Sequence, residues 1–185
     1  MRIAIFARAP TPGEAKTRLI PALGPAGAAA LHAALVEHTL GVVRASGLPY
    51  ALHFTGAPEA TFRAWLGADV PLIPQASGDL GARLAAVPAP CILIGSDCPD
   101  LTPAHLHEAA AALSAGRPAF GPAEDGGYWL LALPTPNPQA FQNIDWGTAQ
   151  VAAQTLPRLE HPVILDTLAD CDRPQDLPRW PHLTA

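Results

Sequence analysis

Lysine is nearly missing from this chain. Of its eleven basic residues ten are arginine, and the one lysine is Lys16. Alanine, by contrast, occurs 37 times. A coding bias would account for both counts, but not for where the lysine sits. Charge is also scarce: 15% of residues are charged and the net charge is −5. That excludes a broad basic face, so no nucleic-acid partner is expected. The three cysteines are odd in number and unpatterned, which excludes a disulfide scaffold and fits a reducing cytoplasm. No apolar run reaches the roughly 18 residues of a membrane span, so none is expected. The opening MRIAIFARAPTPG is interrupted by Arg8 and lacks a small-residue cleavage pattern; it reads as a strand and not as a signal peptide. Repeats and low-complexity linkers are absent too. So are the GK[ST] of a Walker loop, GxGxxG and GxSxG, which removes support for those nucleotide loops and for acyl transfer. The seven histidines show no ligand spacing and read as surface residues.

What remains is 185 residues that are 49% hydrophobic, enough for one core and one domain over residues 1–185. Continuous apolar runs predict strands at Arg2–Ala7, Tyr50–Thr55, Pro71–Pro74, Cys91–Gly95, Ala119–Pro122, Tyr128–Leu133 and Val163–Leu165. Helices are predicted at Pro25–Ser46, Pro58–Leu66, Gly78–Ala86, Pro103–Ala115, Gly147–Leu159 and Pro174–Trp180. Strands alternate with helices through the first two-thirds. That order predicts an α/β fold with a mostly parallel sheet. The runs on either side of EDGG are too close for a crossover helix and predict an antiparallel element in a mixed sheet. Ligands of open α/β sheets bind beyond the carboxyl ends of the strands. The loops after Arg2–Ala7 and Cys91–Gly95 are therefore the ones to examine.

The first of these is ARAPTPGEAKTRL, carrying Arg8, Gly13, Lys16 and Arg18. Such a loop can offer backbone N–H groups and cations to phosphate oxygens. The second is IGSDCPDL, where Asp97 ends a buried strand and Asp100 follows. A carboxylate there needs a partner, and a divalent metal held jointly with phosphate would serve. Asp100 or Thr102 could instead cap the helix that Pro103 begins. Asp170 and Asp172 in LADCDRPQDL offer a second metal carboxylate, with a helix cap as the rival role for Asp172. In GPAEDGGYWLL, Glu124, Asp125, Gly126 and Gly127 form either a ligand contact or a plain turn. Weaker signals are Asp79, which suits a cap, and Gly81 in GDLGARL. Asp145 and Trp146 in NIDWGT could line an acceptor pocket.

FARAPTPGEAKTRL, GDLGARL, GSDCPDLT, AEDGGYWLL, IDWGT and DCDRPQDL occur in this order along nearly the whole chain. Together they resemble the bacterial radical-SAM/selenodomain-associated transferases of the GT-A, or nucleotide-diphospho-sugar transferase, superfamily. The resemblance implies a Rossmann-like GT-A domain and a cytoplasmic transferase. It implies a nucleotide or nucleotide-sugar partner with a small-molecule acceptor, and Mg²⁺ or Mn²⁺ bound at Asp97. The DCDRPQDL ending looks like the DxDTPEDL close of related nucleotidyltransferases, which carries a second metal carboxylate to Asp172, or to Asp170. KTRL resembles the phosphate loop of guanylyltransferases acting on phospholactate, which carries phosphate contacts to Lys16 and Arg18. Sugar transfer, nucleotidyl transfer from a nucleoside triphosphate, and nucleotide binding without turnover all remain compatible with these motifs. Asp97 and Asp172 are expected within about 8 Å, close enough to share one metal directly or through water.

Overall fold

The computed structural model describes residues 1–183. Seven strands form one mixed sheet: β1 (Arg2–Arg8), β2 (Tyr50–Thr55), β3 (Leu72–Pro74), β4 (Cys91–Ile94), β5 (Ala119–Pro122), β6 (Tyr128–Leu133) and β7 (Val163–Ile164). Their spatial order is β3-β2-β1-β4-β6-β5-β7. β1 pairs in parallel with β2 and β4, while β6 runs antiparallel to both β4 and β5. The expected α/β fold with a mostly parallel mixed sheet is thus observed, flanked by helices on both faces.

Alternation along each strand sorts side chains between the faces. Ile3, Ile5 and Ala7 enter one core with Val36, Leu40, Ile92 and Leu106, beneath α1 (Ile20–Ala45), α2 (Glu59–Leu66) and α4 (Pro103–Ser114). Ala4 and Leu93 enter a second with Leu84, Phe120, Leu131 and Phe141, beneath α3 (Leu80–Ala85) and α5 (Val151–Thr155). A third cluster joins Leu19, Leu31 and Leu35 to Ala169, Cys171 and Trp180. It is small, but it fastens the first loop to the C-terminal segment and so determines the site.

Three elements depart from the sequence expectation. The run before Pro25 coils into a turn, and Gly24, at φ 70°, breaks α1 there; regular helix begins where expected. The helix expected over Gly147–Leu159 is reduced to α5 and a 3-10 turn at Leu156–Arg158. Gly147 has φ 80° and Thr148 folds back onto the Asp145 carbonyl, so the start is a turn. The helix expected over Pro174–Trp180 is a 3-10 turn, Leu177–Arg179. There the Asp176 carboxylate accepts from the Asp172 and Arg173 amides and closes the backbone locally. Within Thr17–Ala45 an 18-residue window has a mean hydropathy of 1.6, so this segment is long and apolar enough to cross a membrane. Alanine supplies much of that value, and Leu31, Leu35, Leu40 and Val43 are buried in the core clusters.

Candidate active site

Lys16 is where three distant segments meet. Its backbone is left-handed, φ 48° and ψ 45°, a conformation costing a non-glycine residue roughly 1–2 kcal/mol. This turn sends the side chain inward, where only 4% of it is exposed. Nζ lies 2.7 Å from Asp97 Oδ1 and 3.4 Å from Asp172 Oδ1, and donates to the Cys171 carbonyl at 2.8 Å. Asp97 and Asp172 therefore stand no further apart than the two ion-pair distances together, inside the expected separation of about 8 Å. A backbone bond from Cys171 N to Asp97 O, 2.8 Å, ties the two segments. Arg18 Nη1 binds the other Asp172 oxygen at 2.6 Å from the half-exposed rim.

Burial opposes the charge on Lys16, but Asp97 and Asp172 outweigh it and raise its pKa above the ordinary lysine value. Burial likewise opposes ionisation of Asp97. The Lys16 charge and hydrogen bond outweigh that and hold the carboxyl below its usual range. The lone lysine of the chain also makes the geometry directly testable. In the ligand-free protein, acetic anhydride is expected to modify the Met1 amine far faster than Lys16, read by peptide mass spectrometry. Equal rates would mean that the ammonium is not held as described.

These groups open onto a cleft of ≈ 410 Å³ at the carboxyl ends of β1 and β4. Arg8 lines it, paired with Glu14 at 3.1 Å. The sequence reading did not single out His32, Gln75, Ser96 or Leu80 as cleft residues. His32 corrects the surface assignment: it is 6% exposed, Nε2 bonds the Arg8 carbonyl at 3.1 Å, and Nδ1 has no hydrogen-bond partner among the described residues. Burial lowers its pKa and keeps the ring neutral. No spacing marks His32, because its neighbours come from other elements. Gln75 belongs to the QASGDLGARL segment and spans two strand ends, donating to the His53 carbonyl at 2.8 Å.

Other expected contacts lie elsewhere. The Asp79 carboxylate caps α3, accepting from Ala82 N at 2.8 Å. Gly81 is buried, and a Cβ there would stand 2.6 Å from the Phe141 carbonyl; it serves packing. Gly126, at φ 89°, is likewise crowded by the Ala149 carbonyl, with Ala152 N donating to the Gly126 carbonyl. Asp125 accepts from Gly127 N at 2.8 Å, which is the plain-turn reading of EDGG. Glu124 receives both guanidinium nitrogens of Arg179 at 2.6 and 3.0 Å. Asp145 is bound by Gln154, and Trp146 packs edge-on to Tyr128. Gly13 is a turn residue at φ 86° with open space around it. Asp100 accepts from the Trp180 indole at 3.0 Å, and Thr102 holds the position that starts α4. The rival cap role for Asp172 does not occur either, since Asp176 closes that turn.

Asp170 occupies a separate niche. Cys98 Sγ donates to its Oδ1 at 2.7 Å. Burial, with Asp97 and Asp125 nearby, pushes Asp170 up to about 6 despite that bond. The folded chain thus holds a proton here that the unfolded chain releases, between about pH 4 and 6. This contribution weakens stability as pH rises through that window. Asp170→Asn keeps an acceptor for the thiol. Urea unfolding is expected to show it about 1–2 kcal/mol more stable than the wild type at pH 8, with the gap closing near pH 4.

Among the described residues no three His, Cys, Asp or Glu side chains are grouped to hold a metal. The Lys16 socket is nonetheless chemically suited to a hard divalent cation. Two carboxylates and a carbonyl oxygen converge on one positive charge, and such ions take oxygen ligands with few from the protein.

The fold has counterparts in solved structures. A protein of Desulfovibrio desulfuricans, provisionally named a nucleotide-diphospho-sugar transferase, is 29% identical with a TM-score of 0.85, over 93% of this chain and 82% of that one. Rv0371c of Mycobacterium tuberculosis, solved in complex with manganese, is 19% identical with a TM-score of 0.53, over 96% of both chains. A nucleotidyl transferase of Methanothermobacter is 16% identical with a TM-score of 0.55, over 99% of this chain and 97% of that one. The last two share the fold. No curated protein matches. The likeness to the Desulfovibrio protein supports a GT-A-like architecture. Residues 39–148 match the family described as an uncharacterized protein conserved in bacteria, DUF2064, and the chain belongs to that family.

Proposed function

We propose that this protein is a transferase that moves a sugar from a nucleoside diphosphate-sugar to a small acceptor. The convergence of Lys16, Arg18, Asp97 and Asp172 in one strand-end cleft carries the reading. It is supported by the Desulfovibrio relative and its provisional name. The motif resemblance to radical-SAM/selenodomain-associated transferases, a single domain over 1–185 and a cytoplasmic location belong to the same reading.

In this mechanism the diphosphate lies across the ends of β1 and β4, beside Lys16, Arg18 and Arg8. An acceptor hydroxyl oxygen bonds to the anomeric carbon as the bond from that carbon to the nucleoside diphosphate breaks, and the hydroxyl proton passes to water. Lys16 and Arg18 stabilise the charge gathering on the departing diphosphate, from positions fixed before reaction. Asp97 and Asp172 would hold Mg²⁺ or Mn²⁺, which would supply further charge neutralisation on the phosphates. Leu80, 42% exposed at the cleft, offers apolar surface to a base or sugar.

The test is a thermal-shift panel of nucleoside diphosphate-sugars and nucleoside triphosphates, with and without Mg²⁺ or Mn²⁺. Stabilisation by a nucleotide-sugar, followed by release of nucleoside diphosphate on adding acceptors, is expected. Stabilisation by triphosphates alone would move the activity to nucleotidyl transfer. Stabilisation without turnover across the acceptors would make the domain a binding module. No shift with any member would end the nucleotide reading.

A further inference from the structure

We propose that Lys16 is a resident counter-ion that makes divalent-cation binding conditional on polyphosphate. The proposal rests on the cleft being a polyphosphate site, as proposed above. In the structure the ammonium stands at the point where the oxygens of Asp97, Asp172 and Cys171 converge. The outer oxygen of Asp172 is taken by Arg18. Two carboxylates are thus matched by two cations, and Arg8 and Glu14 form a further neutral pair on the same cleft.

A divalent cation arriving alone would face this balanced set. It would have to share oxygens with an ammonium 2.7 Å from one of them, and like charges at such range repel strongly. A polyphosphate changes the balance. Its negative charges give Lys16 and Arg18 new partners, and the flexible lysine stem lets the ammonium leave the carboxylates. Asp97 and Asp172 then become available to the metal. A guanidinium, planar and forked, would not make this exchange in a socket where three oxygens surround one nitrogen. The lone lysine thus holds the buried centre of the socket, while Arg18 acts from its rim.

The experiment measures Mn²⁺ binding by equilibrium dialysis, alone and with inorganic pyrophosphate. The proteins are the wild type, Lys16→Met and Arg18→Gln, each checked for folding by circular dichroism. Wild type is expected to bind Mn²⁺ at least tenfold more tightly with pyrophosphate than without. Lys16→Met is expected to bind Mn²⁺ alone at least tenfold more tightly than the wild type, and its dependence on pyrophosphate should shrink in parallel, as linkage requires. Arg18→Gln, a rim change that spares the buried socket, should move the same way by a smaller factor. If neither variant binds Mn²⁺ alone more tightly, or if wild type binds it equally well without pyrophosphate, the proposal is overturned. Nucleotide-sugar stabilisation of the wild type would in that case still stand. If the variants gain Mn²⁺ while the wild type binds neither pyrophosphate nor nucleotide-sugar, the conditional binding proposed here and the polyphosphate reading both fail.

Discussion

Asp97→Asn is expected to remove metal-dependent nucleotide binding and to unsettle the fold. The carboxylate is the shortest contact of a buried ammonium, 2.7 Å away. Asparagine leaves Lys16 with the Cys171 carbonyl and the more distant Asp172 oxygen. Breaking a buried ion pair costs about 3–5 kcal/mol; because Asp97 is 45% exposed and Asp172 remains, about 2–3 kcal/mol is the better figure. For a chain of this size that corresponds to a fall in Tm of roughly 4–12 °C. Nucleotide affinity in Mn²⁺ should fall about a hundredfold or more. The sign with pH follows from the lowered Asp97 pKa. Its stabilisation is present above the unfolded carboxyl value of about 4 and is lost as pH falls through the lower folded value. The Tm gap between variant and wild type should therefore narrow on strong acidification. An unchanged Tm at neutral pH would mean that the Lys16–Asp97 contact carries no weight in the fold.

Lys16→Arg is the second large effect, although it keeps the charge. The socket leaves 4% of the lysine side chain exposed, and overfilling a packed site costs about 1–3 kcal/mol. A guanidinium cannot place one nitrogen among the Asp97, Asp172 and Cys171 oxygens as the ammonium does. Turnover of nucleotide-sugar is expected to fall about 10²–10³-fold, as when a pre-positioned charge contact is removed. Circular dichroism should show the fold retained. Near-wild-type turnover would reduce the lone lysine to an accident of composition.

Much of the sheet was legible because its signal is local. The bounds of Tyr50–Thr55, Ala119–Pro122 and Tyr128–Leu133 follow from continuous apolar runs ended by Gly, Pro or polar turns. Elements rich in Pro and Gly were not legible. The turn chemistry of Thr148 and Asp176 overrides helical spacing there. In the site, Lys16, Asp97 and Asp172 stand out as charged residues in the loops that follow strands. Their mutual contact does not, because a hydrophobic cluster of Leu19, Leu35, Cys171 and Trp180 brings residues far apart in sequence together. His32 gave no sign at all. Its meaning lies in the Arg8 carbonyl and in a ring nitrogen without a hydrogen-bond partner among the described residues. Conversely, Asp79, Gly81 and Gly126 drew notice through glycines and acids that serve caps and close backbone contacts.

On the proposed function, Asp97, Asp172, Lys16 and Arg18 form one site for a polyphosphate and its cation. A crystal structure grown with Mn²⁺ and the nucleoside diphosphate giving the largest thermal shift tests it most directly, read by anomalous scattering at the manganese edge. A manganese peak between Asp97 and Asp172 is expected, with phosphate oxygens on the manganese and Lys16 Nζ turned from the carboxylates to the phosphates. A manganese peak elsewhere, or a nucleotide bound outside the β1–β4 cleft with Lys16 still on Asp97, would contradict it.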